Sequence, residues 1–178
     1  MVFVVAALYP IMSLSPETPI PTGPWTLYFH ATDETKWSLD SFHKVGTVRT
    51  WRDFWLLIET MTPEVFGKSM FFWMRDPLPP LWENKDNIRG GNYSIRVSDA
   101  DIPATFTRYA VASMLGEVFT SAENRVQGFS IAPKRGFSVL KIWNQNADKW
   151  ADPANLQLLT EKIKPEDVLY APFVTKRF

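Results

Sequence analysis

Six short runs of apolar, β-branched and aromatic residues limit what this chain can fold into, because each is closed within five to seven positions by proline, glycine or a polar turn. Such runs fit half-buried strands and are too short for anything else regular. Trp25–His30 follows Pro24, and Ser69–Arg75 runs into Asp76-Pro77. Tyr93–Val97 follows Gly90-Gly91, and Val168–Val174 lies near the end of the chain. Gly128–Ala132 and Phe137–Trp143 flank Pro133-Lys134-Arg135-Gly136, the pattern of a hairpin. Between the runs stand three helix-start signals. Thr50 with Asp53 forms a capping box ahead of a helix reaching about Met61 and stopping before Pro63. Asp101 and Pro103 open a second helix to about Phe119, and Asp152-Pro153 a third that ends before Pro165. Helices placed among hairpins cover one sheet face. The expected class is α+β: a curved, mainly antiparallel sheet backed by about three helices, its concave face open to a ligand.

At 178 residues and 46% hydrophobic, the chain has material for one core. The expected boundaries are a flexible, proline-rich tail over 1–24 and a single domain over 25–178. Within that tail, Val2–Leu8 is apolar but has no basic residue before it and is far too short to cross a bilayer. Nineteen basic residues balance nineteen acidic ones, so no bulk field draws nucleic acid or membrane, and any polyanion must be held locally. There is no cysteine, and His30 and His43 are the only histidines. Disulfides and thiolate or histidine metal centres are thereby excluded, no cofactor is implied, and a reducing, cytoplasmic setting fits.

Eight tryptophans are too many to treat alike. Trp25, Tyr28, Trp73 and Tyr93 lie in strand runs and read as packing. Trp82-Glu83 sits in the turn-like stretch Pro79–Asn84, and Trp37 in the polar stretch Glu34–Trp37, where an indole has a flat ligand to cover. A base stacked on an indole gains roughly 1–3 kcal/mol, and a cationic ring adds about 0.5–2 kcal/mol for each indole. One carboxylate accepts the adjacent N1–H and N2–H of guanine together, a pair that adenine and cytosine lack. Alkylation at N7 makes guanine cationic and its N1–H more acidic, strengthening both terms. Lys134 and Arg135, at the hairpin turn, are placed to hold trailing phosphates. On the first expected helix an apolar arc including Trp51 and Trp55 is too wide for one packing surface.

Leu81-Trp82-Glu83-Asn84-Lys85 followed by Arg89-Gly90-Gly91 resembles the mRNA cap-binding family of eukaryotic translation initiation factor 4E. So do Thr35-Lys36-Trp37, Asp53-Phe54-Trp55, Gly116-Glu117 and Ile142-Trp143, in the family's order and over roughly Pro24 to Phe178. The resemblance implies 7-methylguanosine stacked between Trp37 and Trp82, with Glu83 on the guanine edge and the Trp82 N–H on O6. It implies Trp143 beside the N7 methyl group, and Lys134 at a phosphate-binding position. It implies capped mRNA as ligand and no enzymatic activity. Trp55 matches the dorsal tryptophan that receives a helix bearing a Tyr-x-x-x-x-Leu-apolar motif, carried by a scaffold factor of the 4G type or a similar protein. Trp51, Arg108, Ala112 and Gly116 fall on the same partner surface, and a monomer that joins a scaffold is expected.

The departures are specific. Val139 stands where the family has a phosphate-binding lysine, so Lys141, two residues along the strand, or the nearby Arg135 is expected to compensate. Asn92 replaces a common arginine, Arg108 and Ala112 replace leucines, and Tyr109 replaces an acid that pairs with the partner. Such a set fits a short divergent paralogue, of the trypanosomatid kind. Two other classes compete. A glycoside hydrolase would need a second carboxylate partner for Glu83, and a sugar-binding module would leave Lys134 and Arg135 idle. A protein-interaction factor or translational regulator on the same fold, with weak or altered cap binding, is the alternative.

Overall fold

The structure, a computed structural model, describes residues 15–174. The apolar stretch Val2–Leu8 and the terminal Lys176-Arg177-Phe178 lie outside them. Seven strands form one sheet: β1 (Trp25–Ala31), β2 (His43–Val48), β3 (Ser69–Arg75), β4 (Gly91–Val97), β5 (Val126–Pro133), β6 (Ser138–Asn144) and β7 (Leu169–Pro172). Their order is β2-β1-β3-β5-β6-β4-β7, and every neighbouring pair is antiparallel. Three α-helices accompany them, α1 (Trp51–Ile58), α2 (Pro63–Phe66) and α3 (Ile102–Leu115). The α+β expectation holds.

Alternation along the strands divides the aromatic residues between two faces. Trp25, Leu27, Phe71, Trp73, Phe129, Leu140 and Ile142 join Phe54 of α1 and Phe106 of α3 in the main core. Their in-between neighbours on the strands, Phe72, Met74 and Trp143, form a second, smaller cluster with Phe42. That second cluster floors the opposite face.

Helix ends follow their sequence signals. Thr50 Oγ1 accepts from Asp53 N (3.2 Å) while Asp53 Oδ2 accepts from Thr50 N (3.0 Å), the reciprocal capping box. The Arg49 and Thr50 amides, the first above all, hold the Asp53 carboxyl below its usual range. Gly116, at φ 78°, ends α3 in the left-handed conformation, and Glu117 N returns to Ala112 O at 2.8 Å.

Three expectations need correction. The segment after Asp152-Pro153 makes only a 3-10 turn, Pro153–Asn155. Its backbone bonds outward instead, with Gln157 N donating to Val118 O (2.9 Å) and Thr120 N to Asn155 O (2.8 Å). The third helix is α2, started by Pro63, a residue expected only to stop α1. Residues 15–24, assigned to a flexible tail, are bonded to the body. Ile20 is buried, Arg52 N donates to Pro16 O (2.8 Å), Trp51 N to Thr18 O (3.3 Å), and Thr22 Oγ1 to Met114 O (2.9 Å).

Candidate functional site

The loop between β3 and β4 is held from within by a buried asparagine. Asn87 Nδ2 donates to Pro79 O (3.1 Å) and Leu81 O (2.9 Å), while its own backbone N–H reaches Asn84 O (2.9 Å). Two carbonyls drawn to one side chain turn the chain outward at Trp82-Glu83. Trp82 is left 41% exposed, and Glu83 is exposed beside it. The other end of the loop is fixed where Gly90 meets β6. A Cβ there would lie 1.9 Å from Asn144 O, so only glycine permits the approach.

Trp37 is positioned by a histidine. The His30 ring is fully buried and stacks on the indole, with centroids 4.2 Å apart and planes 7° from parallel. Its Nδ1 lies 3.0 Å from Ala31 O and its Nε2 2.9 Å from Lys36 O, so the imidazole spans the base of the loop that carries Trp37. Lys36 pairs with Asp40, and with the Ser38 hydroxyl it holds the Asp40 carboxyl down at about 2. Trp37 remains 53% exposed.

Trp37, Trp82, Glu83 and Trp143 line one cleft of about 820 Å³, within the size range of small-molecule sites. Its floor is the second aromatic cluster, and Lys134, Val139 and Lys141 line it as well. Val139 and Lys141 thus share a side of β6, as their spacing required. Arg135 is exposed at the turn outside the lining, and Asn92 lines the cleft with its amide bonded to Ala171 O (3.4 Å). Among the described residues, Glu83, Lys134 and Lys141 make no ion pair. One free carboxylate, two free ammonium groups and two exposed indoles therefore face a single space. Such a set suits a flat ring with N–H donors at one edge and an anionic tail.

Phe173 was missed by sequence reasoning. It stacks on Trp82 (6.2 Å, 26°), meets Trp143 edge-on (5.1 Å, 71°) and lines the cleft with Pro172. Its signal was an aromatic at the end of the last strand run. His30 and Asn87 were missed as supports, since neither offers a motif. Trp143 is 5% exposed and meets Phe72 edge-on (6.3 Å), so it is both floor and wall.

On the helix side, Trp55 and Leu56 of α1 are 50% and 60% exposed, and Arg108, Leu115 and Gly116 are exposed on and after α3. Trp51 and Ala112 are instead buried in the main core. Tyr109, placed by sequence on this surface, is fully buried and donates to Gln157 O (3.1 Å). The outward apolar arc is narrower than α1 alone suggested. Among the described residues no acidic or histidine cluster is arranged to hold a metal, and no helix is long and apolar enough to cross a membrane.

The family model described as "Eukaryotic initiation factor 4E" matches residues 22–173. The chain is 27% identical over 131 residues to eukaryotic translation initiation factor 4E of Saccharomyces cerevisiae, covering 70% of this chain and 61% of that protein. It is 24% identical over 132 residues to the human type 1B protein, covering 71% and 54% of the two chains. In fold it resembles Ascaris suum eIF4E-3, solved with an m7G cap (TM-score 0.72, 18% identity, 91% and 94% covered). It also resembles C. elegans eIF4E-3, solved with the 4E-binding protein Mextli and a cap analogue (TM-score 0.72, 21% identity, 86% and 91% covered). The match thus spans about three fifths of the yeast protein's length.

Proposed function

Because the chain belongs to the eukaryotic initiation factor 4E family, we propose that it binds the 7-methylguanosine cap of mRNA in the cleft between Trp37 and Trp82 and carries a partner helix on its opposite face. The observation that carries this reading is the convergence of Trp37, Trp82, Glu83, Lys134 and Lys141 on one cleft, although Lys134 lies 97 positions after Trp37. In this reading the two indoles sense the positive charge of the methylated base, and the unpaired Glu83 carboxylate accepts from N1–H and N2–H. Trp143 stands beside the N7 methyl group. Lys134 and Lys141 neutralise the phosphates that follow. On the far face, Trp55 and Leu56 with Arg108 and Gly116 receive an amphipathic helix. Relatives of this fold solved with an m7G cap and with Mextli are in keeping with both surfaces.

The test is tryptophan fluorescence titrated with 7-methyl-GTP, GTP and an oligosaccharide. Quenching by the methylated ligand at a concentration at least about fivefold lower than for GTP is expected, from a cation–π preference of about 1–4 kcal/mol over two indoles. Trp82→Ala should weaken binding by roughly 5- to 150-fold. Glu83→Gln should weaken it by roughly 10- to 150-fold, the range for a charge-assisted hydrogen bond. Equal response to methylated and unmethylated ligand would overturn the cation sandwich. A second reading, a regulator that binds protein more than cap, is favoured by Val139, an apolar side chain in the cleft where the resemblance expects a lysine. It predicts weak quenching by every nucleotide with helix binding intact.

A further inference from the structure

A second cavity opens at the other end of the strands, where β3 finishes and β5 begins. It measures about 390 Å³, and among the described residues Arg75 and Arg125 are its only charged lining residues. Neither guanidinium pairs with a carboxylate among the described residues. Arg75 is half-buried beneath Trp25, its Cζ 5.6 Å from the indole centroid, and its Nε has no hydrogen-bond partner. Burial first, then the nearby Arg125 charge, pulls its pKa down, as expected for like charges left to face each other. The same cavity is lined by Asn124, which is 4% exposed and whose Oδ1 is buried without a partner. Two unneutralised guanidiniums therefore line one partly open cavity, and two of its lining residues each carry a buried polar atom without a partner, a donor on Arg75 and an acceptor on Asn124. Native proteins leave few such groups unsatisfied, and here both belong to residues that line a cavity large enough to hold an anion.

We propose that this cavity is an oxyanion site selective for hydrogen phosphate. The guanidiniums offer several N–H donors in a planar fork matched to phosphoryl oxygens. The Asn124 Oδ1 asks for a donor, and hydrogen phosphate keeps one P–OH at neutral pH. Sulfate has the same shape and charge but no proton to give. A wider cleft of about 640 Å³ shares Arg75 and Arg125 and adds Arg89 and Lys85, offset by Asp76 and Asp86. Both spaces thus carry the same net excess of two positive charges, but among the described residues only the smaller cavity has no carboxylate in its lining. The site is separate from the nucleotide cleft and stands whether or not the cap reading holds, since no residue lines both.

Calorimetric titration of the full chain with sodium phosphate and sodium sulfate, at constant ionic strength in chloride and with 7-methyl-GTP already present, tests the proposal. One phosphate should bind per chain, with sulfate at least tenfold weaker, because a buried acceptor is left unpaired. Arg125 is exposed, so Arg125→Gln should fold, lose phosphate affinity by at least tenfold and keep its affinity for 7-methyl-GTP. The Asn124 side-chain amide resonances should shift with phosphate in the wild type and not in Arg125→Gln. Equal affinity for phosphate and sulfate, or phosphate binding unaltered by Arg125→Gln, would overturn the proposal.

Discussion

Lys141 and Arg135 separate two ways of gripping a phosphate chain. Lys141 lines the cleft beside Val139, and Arg135 lies at the turn outside it. An ammonium within a Debye length of the ligand, in a partly enclosed space, contributes more than a guanidinium free in solvent. Lys141→Ala should weaken 7-methyl-GTP several-fold to tenfold while leaving 7-methylguanosine within twofold, and Arg135→Ala should change neither by more than about twofold. Fluorescence titration of the two ligands checks this. Asn144 shows what the residue scale hides from sequence. It is fully buried, accepts from Gly91 N (2.9 Å) and Tyr170 Oη (3.0 Å), and donates to Trp150 O (3.1 Å). One amide thus joins β6 to β4, β7 and the loop at Trp150. Asn144→Leu leaves those groups unpaired and should cost about 2–4 kcal/mol in urea unfolding.

At the scale of elements, what could be read was what carries a local signal. Thr50 and Asp53 announce α1, whereas α3, expected to reach about Phe119, stops at Leu115 before the left-handed Gly116. The removal of the Thr50 hydroxyl should therefore destabilise the chain by about 1 kcal/mol in Thr50→Ala, measured by denaturant midpoint. Strand β2 went unread because His43-Lys-Val-Gly-Thr-Val48 carries polar residues and a glycine within an edge strand that is largely exposed. The expected helix after Asp152 failed for the converse reason. Its start signal is real, since Asp152 Oδ1 accepts from Ala154 N (2.9 Å), but Leu156 and Ile163 reach the core from an extended path paired with residues 118–120. Long-range pairing overrode a local cap. The site divides along the same line. The indoles, Glu83 and the lysines stand in motifs, whereas His30, Asn87 and Phe173 act through contacts that no spacing reveals. On the opposite face, Trp55 is exposed and lines no part of the cleft. Trp55→Ala should abolish capture of a Tyr-x-x-x-x-Leu-apolar helical peptide in a pull-down and leave 7-methyl-GTP affinity unchanged.

Over the whole molecule, tyrosines packed into or against the main core set the alkaline limit of the fold. Tyr109 of α3 is fully buried against the segment at Gln157, and burial pushes its pKa up to about 12. Tyr170 on β7 is likewise raised to about 12 by burial, and Tyr93 of β4, in edge contact with it at 4.8 Å, is raised for the same cause. In each the folded state disfavours the phenolate. A folded pKa above the unfolded value of about 10 means that the unfolded chain releases its proton first. Stability from these groups is therefore complete below pH 10 and is lost as pH rises towards 12. Tyr109 alone corresponds to about 2–3 kcal/mol across that window, and Tyr170, being only part-buried, to less. Urea unfolding should show a stability independent of tyrosine up to about pH 10 and a steep fall between pH 10 and 12. Tyr109→Phe removes the hydrogen bond to Gln157 O and should be less stable near neutrality, but its loss between pH 10 and 12 should be shallower than that of the wild type. A Tyr109→Phe curve parallel to the wild type throughout that interval would remove the buried phenol as the cause. The same scan, read by absorbance near 295 nm, should place ionisation of the buried tyrosines together with unfolding rather than ahead of it.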